Sequence, residues 1–287
     1  MARIKFTTDS AADIPANLRD EWNIHVLPFP IAMGDREYED GFDFTPEEFY
    51  SMLLEAPQIP THSQLTFYVF SELFEAAWKD GYTDLIHTSI NGKGSATCQN
   101  AIQARVEFYQ DHPEARDQFR IHIIDSKTYT MTYGWAVVQG AKMAAEGAGA
   151  DEVVAYIQDW LDHVRVLFAP LDLRFAKKSG RISAAAAFMG EALGLKPIMT
   201  FEEGESKSVS KVRGEKALIS TLVELCKKER RPNTPYLLIR GNNAAQADRL
   251  REACRDALGE EAALEYYIGG VIAINAGPNL VGLLYRV

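Results

Sequence analysis

The feature that most constrains this chain is a unit repeated through its first half: an apolar strand, a few small polar residues, then a helix. Ile4–Thr8 reads as a short strand, with Asp13 as the N-cap of a following helix and Pro15 in its first turn. A second extended stretch covers His25–Ala32. Thr45-Pro46-Glu47-Glu48 is a capping box, in which the threonine hydroxyl satisfies a free N–H and Glu48 reaches back. After Thr66, the residues Phe70, Leu73, Phe74, Ala77 and Trp78 recur at helical spacing, and Gly81 stops the helix. Leu85–Ser89 and Ile121–Asp125 read as buried strands, each feeding an alanine-rich helix, and Asp151 caps a further helix. Strands that alternate with helices imply a parallel sheet covered on both faces.

The second half changes pattern. Apolar Val166–Phe168, a helical stretch around Ala184–Leu193 and extended segments at Lys196–Glu202 and Ser208–Val212 precede an amphipathic helix over Glu215–Glu229. A strand at Tyr236–Arg240, a helix at Ala244–Leu258 and two strand-like runs, Leu264–Asn275 and Leu280–Val287, complete the chain. The expected fold class is therefore α/β in two domains. Residues 1–164 form an α/β domain with a mainly parallel sheet, and residues 165–287 an α+β domain with a mixed sheet. A ligand cleft is expected between them.

Charge and cysteine content narrow the function. A formal net charge of -10 opposes a nucleic-acid backbone or an anionic membrane surface as the main partner. Arg174, Lys177, Lys178 and Arg181 make the best local basic patch. Cys98, Cys226 and Cys254 are too few and too scattered for a disulfide framework or a metal site, which fits a reducing cytoplasm. No apolar run reaches the ~20 residues needed to cross a bilayer, so stable membrane insertion is not expected. Neither a resident metal nor a cofactor is implied.

Four polar segments carry the chemistry: Thr7-Thr8-Asp9-Ser10, Thr61-His62-Ser63-Gln64, Asn91-Gly92-Lys93-Gly94-Ser95 and Asp125-Ser126-Lys127. Strand ends of a parallel sheet share one edge, where open α/β folds bind ligands, and helix N-termini there suit a carboxylate or phosphate. One such segment alone reads as a helix cap; recurrence favours an anion site without naming the anion. Gly92 and Gly94 are expected to allow positive φ and close approach of the backbone to a ligand. The loop lacks the spacing of a nucleotide-binding P-loop. Near the C-terminus, Asn275-Ala276-Gly277-Pro278-Asn279 reads either as a hairpin turn or as a loop that offers the Asn275 amide to a headgroup. Gly180-Arg181-Ile182 reads as an anion contact or a solvated turn. His62 with Ser95 also permits a hydrolase or phosphotransferase, although no G-x-S-x-G elbow is present. His87, His122 and His163 read as structural.

Taken in order, Thr8–Asp13, Tyr38–Gly41, Thr61–Gln64, Ser95–Ala101, Ile124–Lys127, Leu173–Ile182, Gly194–Ile198 and Asn275–Pro278 resemble the DegV family across essentially the whole chain. The resemblance implies a long-chain fatty acid such as palmitate, held between the two domains and not chemically altered by the protein. It places the carboxylate on the residue at His62, beside Ser63, and on the serine at Ser95, with Asn91 and Asn275 also at the head; Arg181 joins them as a candidate on its own anion-contact reading. It further implies a separate ATP-using fatty-acid kinase as the partner to which the carboxylate is presented. The chain departs from the commoner family pattern at the head: His62 replaces a threonine, Asn91–Gly94 a Ser-Ser-x-Leu stretch, Ala96 a glycine and Asn275 a histidine.

Overall fold

The computed structural model describes residues 3–188 and 195–287. In chain order they form β1 (Ile4–Asp9), α1 (Ala16–Glu21), β2 (Ile24–Leu27), β3 (Pro30–Met33), β4 (Arg36–Glu39), α2 (Pro46–Glu55), β5 (Thr61–His62), α3 (Phe67–Lys79), β6 (Asp84–Ser89), α4 (Thr97–Asp111), β7 (Arg120–Asp125), α5 (Met131–Ala145) and α6 (Ala150–His163). Then come β8 (Val164–Pro170), α7 (Leu173–Ser179), β9 (Leu195–Glu202), β10 (Glu205–Arg213), α8 (Glu215–Glu229), β11 (Tyr236–Arg240), α9 (Ala244–Leu258), β12 (Leu264–Tyr267), α10 (Gly270–Ala276) and β13 (Leu280–Arg286). The residues gather into two compact units. Unit 1 takes Met1–Ile31, Glu37–Asp40 and His62–Asp162; unit 2 takes Ala32–Arg36, Gly41–Thr61 and His163–Val287. The expected division at Val164 left 41–61 with the N-terminal half, whereas these residues cluster with unit 2.

Unit 1 is built on a four-stranded sheet in the order β2-β1-β6-β7. Every pairing in it is parallel, with Phe6 opposite Ile24 and Ile86, and Ser89 opposite Asp125. Helices between the strands bring the chain back to the same starting edge, as the alternating pattern requires. The N-terminal helix start departs from expectation. Asp13 does not cap α1; it closes a short 3-10 turn, Ser10–Ala12, in the left-handed region at φ 51°, and Pro15 is the cap of α1. Aspartate tolerates that conformation better than most residues, so a cap-forming residue type serves here to end a turn.

Unit 2 holds a six-stranded mixed sheet in the order β10-β9-β8-β13-β11-β12, antiparallel except for the β11–β12 pair. Leu167, Ile198, Leu218, Leu222, Cys226, Leu238, Leu250, Cys254 and Leu283 form its core between the sheet and the helices α8 and α9. The capping box at α2 is present in full: Thr45 Oγ1 accepts from Glu48 N, and Glu48 Oε2 accepts from Thr45 N at 2.7 Å. The Glu48 carboxyl is accordingly held below its ordinary range, chiefly by the bond from the Thr45 backbone. The run Leu264–Asn275, expected as one strand, is β12 followed by the buried helix α10. Val271, Ile272 and Ile274 suit a strand, but tertiary burial on all sides overrides that preference. The hairpin reading of 275–279 falls with it, because β11 lies between β12 and β13. Ser183–Phe188 forms a 3-10 turn where part of a helix was expected; the remainder of that stretch, and Gly194, lie outside the described residues.

Candidate functional site at the strand ends of unit 1

The parallel sheet brings the carboxyl ends of β1, β6 and β7 to one edge, and hydrogen bonds join the loops that leave them. Asp9, the last residue of β1, is fully buried. Its Oδ2 accepts from Ile90 N at 2.7 Å, at the head of the β6 loop, and its Oδ1 accepts from the Tyr133 hydroxyl of α5 at 2.6 Å. Burial pushes the Asp9 carboxyl up to about 7, against the lowering effect of those two bonds and a third from Ala11 N; nearby Asp40 raises it further. Burial likewise pushes the Tyr133 hydroxyl well above its ordinary value. Next along, Ser10 Oγ donates to Asp40 Oδ2 at 2.8 Å and accepts from Phe29 N at 3.0 Å.

The loop after β6 is fixed to the loop after β7. Ser126 N donates to Ser89 O at 3.0 Å and Asn91 N to Thr128 O at 3.1 Å. Asn91 is buried, its Nδ2 donating to the Tyr129 hydroxyl at 2.9 Å and its Oδ1 accepting from Lys93 N at 3.1 Å. Asn91 thus serves inside the loop it was expected to present to a ligand. The glycines also differ from expectation: neither Gly92 nor Gly94 has positive φ. A Cβ on Gly92 would lie 2.6 Å from Asp125 Oδ2, and one on Gly94 would lie 2.1 Å from the Tyr129 hydroxyl. Glycine is needed because side chains of the protein itself press on both positions.

Beyond that loop, Ser95 Oγ and Thr97 Oγ1 are hydrogen-bonded at 2.9 Å, and Thr97 Oγ1 accepts from Leu65 N at 3.2 Å. Asn100 Nδ2 completes the link by donating to Leu65 O at 2.7 Å. Ser95 therefore stands at the start of α4 with the segment after Ser63 drawn up beside it. Ser63 is exposed and its N–H donates to Pro30 O at 3.2 Å, while half-buried His62 packs edge-on against Phe29 with ring centroids 6.0 Å apart. The α4 N-cap is Ala96, which has no side-chain acceptor, and Ser95 Oγ accepts from Thr97 N, the first amide of this 15-residue helix, at 3.3 Å. The remaining first-turn amides carry the partial positive charge of a helix N-terminus. Among the described residues no group of three or more His, Cys, Asp or Glu could hold a metal ion.

Arg181 and Asn275, the remaining residues singled out in the sequence, belong to unit 2. Exposed Arg181 follows the left-handed Gly180 that ends α7, and its guanidinium donates to Ser179 O at 3.0 Å. Half-buried Asn275 sits in the last turn of α10, its Nδ2 donating to Val271 O at 2.7 Å and its carbonyl accepting from Ser179 Oγ at 3.2 Å. In the nearby basic patch, Arg174 is paired with Asp172 at 2.6 Å. Sequence reading missed Tyr129, Tyr133 and Thr97. Their partners lie 38, 124 and 32 residues away respectively, so only the conspicuous glycines and the buried Asp9 hinted at them.

Comparison with known proteins agrees with the fold. A family model described as "Uncharacterised protein, DegV family" matches residues 3–287. A DegV domain-containing protein of Caldanaerobacter subterraneus subsp. tengcongensis is 31% identical, covering 100% of this chain and 99% of that protein. Among solved structures, a DegV family protein of Thermus thermophilus described by its fatty acid binding superposes with a TM-score of 0.87 at 28% identity, covering 99% of this chain and 100% of that one. A fatty acid binding DegV family protein of Streptococcus agalactiae gives 0.86 at 26% identity, over 99% of this chain and 98% of that one.

Proposed function

The chain belongs to the DegV family, and we propose that it binds a long-chain fatty acid such as palmitate, with the carboxylate at the strand ends of unit 1. The carrying observation is the pair of solved relatives at 28% and 26% identity, both described as binding fatty acids and both matched over nearly the whole chain. Site geometry supports it: the Ser95 hydroxyl and the first turn of α4 lie together, a helix N-terminus suits one carboxylate, and the His62–Ser63 segment is held close by through Leu65. Each buried CH₂ of such a ligand contributes about 0.8 kcal/mol, so the acyl chain supplies most of the affinity and the head supplies orientation. Arg181 and Asn275 join the proposal as further donors to the head, and Asn91 as the residue that shapes the loop.

The proposed role is binding, with no reaction catalysed by this chain. Presentation of the carboxylate to a separate fatty-acid kinase is a further part of the proposal, supported by the family resemblance alone. Among the described residues no helix is long and apolar enough to cross a membrane. The test is extraction of the purified protein followed by mass spectrometry, together with titration of delipidated protein with labelled palmitate. Co-purified fatty acid and saturable binding are expected. A protein that is empty after expression in bacteria and takes up no palmitate would end the proposal.

A further inference from the structure

Building on that reading, we infer that Tyr129 and Asp125, in the loop after β7, are positioning residues that set the place of Ser95 for the ligand carboxylate. Neither side chain is assigned to contact the ligand. Both grip the loop that carries Ser95.

Asn91 is the pivot. Its carbonyl accepts from Gly94 N at 3.0 Å and from Ser95 N at 3.1 Å, so the Ser95 backbone follows wherever Asn91 is held. Asn91 is held in turn by the Tyr129 hydroxyl through its amide and by Thr128 O through its N–H. One residue on, Asp125 Oδ1 accepts from Gly92 N and from Lys127 N, each at 2.9 Å, so a single carboxylate oxygen joins the two loops. The absence of a Cβ at Gly92 and Gly94 is what lets Asp125 and Tyr129 come this close.

Backbone strain points to the same place. Lys127 and Thr130 flank the Thr128–Tyr129 pair and both have positive φ, 53° and 56°. Thr130 combines this with a ψ of -156°, a region that β-branched residues avoid. Such conformations persist only where surrounding bonds over-determine them, as Thr130 N does by donating to Ala11 O at 3.0 Å. The β7 loop is thus held in a costly shape that delivers the Tyr129 hydroxyl to Asn91.

Positioning differs from general support in which ligands it affects. Tyr129→Phe removes the hydroxyl and keeps the ring, while Gly94→Ala wedges a methyl group against that hydroxyl. In delipidated protein, both variants are compared with wild type for binding of palmitate and of hexadecanol, which shares the chain and lacks the charge. Loss of one hydrogen bond's worth of alignment should weaken palmitate about tenfold and hexadecanol less than about twofold. Amide exchange at residues 92–95 should quicken in both variants. Unchanged palmitate affinity, or equal losses for the two ligands, overturns the proposal while leaving fatty-acid binding intact. A wild-type protein that binds no palmitate overturns the fatty-acid reading and this inference with it.

Discussion

The two units spend their interiors differently. Among the described residues, the buried polar side chains belong almost entirely to unit 1, including Thr7, Thr8, Asp9, Ser10, Asp13, Asp40, Asp84, His87, Asn91 and Thr97. Among its described residues unit 2 buries only Thr200, Ser206 and Gln246 of this kind, around a core rich in Leu, Ile, Val and Cys. An apolar core adds stability for each methylene it hides, whereas a buried polar group at best recovers what its desolvation costs. The strand ends of unit 1 therefore give up stability to gain fixed geometry, and that is where a binding site is expected.

Substitutions can break this contrast. The largest effect is expected at Asp9. Its carboxyl ionises near 3.8 when unfolded and at about 7 when folded, so the folded state holds the proton across that interval. Stability owed to Asp9 is thus highest below pH 4, falls as pH rises towards 7 and is level above that. Asp9→Asn should abolish the trend, so the stability gap between variant and wild type shifts in the variant's favour by roughly 4 kcal/mol between pH 4 and pH 8. Urea titrations at each pH measure it, and the difference between proteins must be used. His87, buried and pushed down to about 3, titrates in the opposite sense, losing stability as pH falls below 6.5. A gap independent of pH would show that Asp9 is ionised in the fold.

Next in size is Leu222→Ala, which removes a fully buried side chain from the core of unit 2. A loss of about 3 kcal/mol is expected in urea, independent of pH, with palmitate affinity of the folded protein unchanged. A change in affinity would mean that packing around Leu222 reaches the ligand site. Thr45→Ala removes one half of the α2 capping box and should cost about 1 kcal/mol by the same measurement. Smallest of all, Arg174→Ala breaks an ion pair whose arginine side chain is 77% exposed. A change in melting temperature too small to resolve is expected there.

The same contrast explains what could be read in advance. The parallel sheet of unit 1 was legible because strand, polar residues and helix recur, and the box at Thr45–Glu48 was legible because its partners are three residues apart. The proposal of a fatty acid came from ordered motifs, since polar strand ends specify an anion and nothing finer. The inner workings of the site were not legible. Asn91 and the glycines of its loop stand out in the sequence, but the side chains that hold them, Tyr129 and Asp125, reach them only through the fold. Asn275 sat in a run whose composition favours a strand, and only burial against the rest of unit 2 makes it helical.

Helix α10 has a consequence for how the protein fails. Val271-Ile272-Ala273-Ile274 is uncharged, free of proline and rich in β-branched residues, the composition from which intermolecular strands assemble. Its native burial keeps it from other chains, so heating or a core substitution that opens unit 2 releases a segment ready to pair with copies of itself. Irreversible loss on heating should therefore follow the opening of unit 2 and rise with protein concentration, and a lysine at Ala273 should slow clumping of the opened chain even as it weakens the fold.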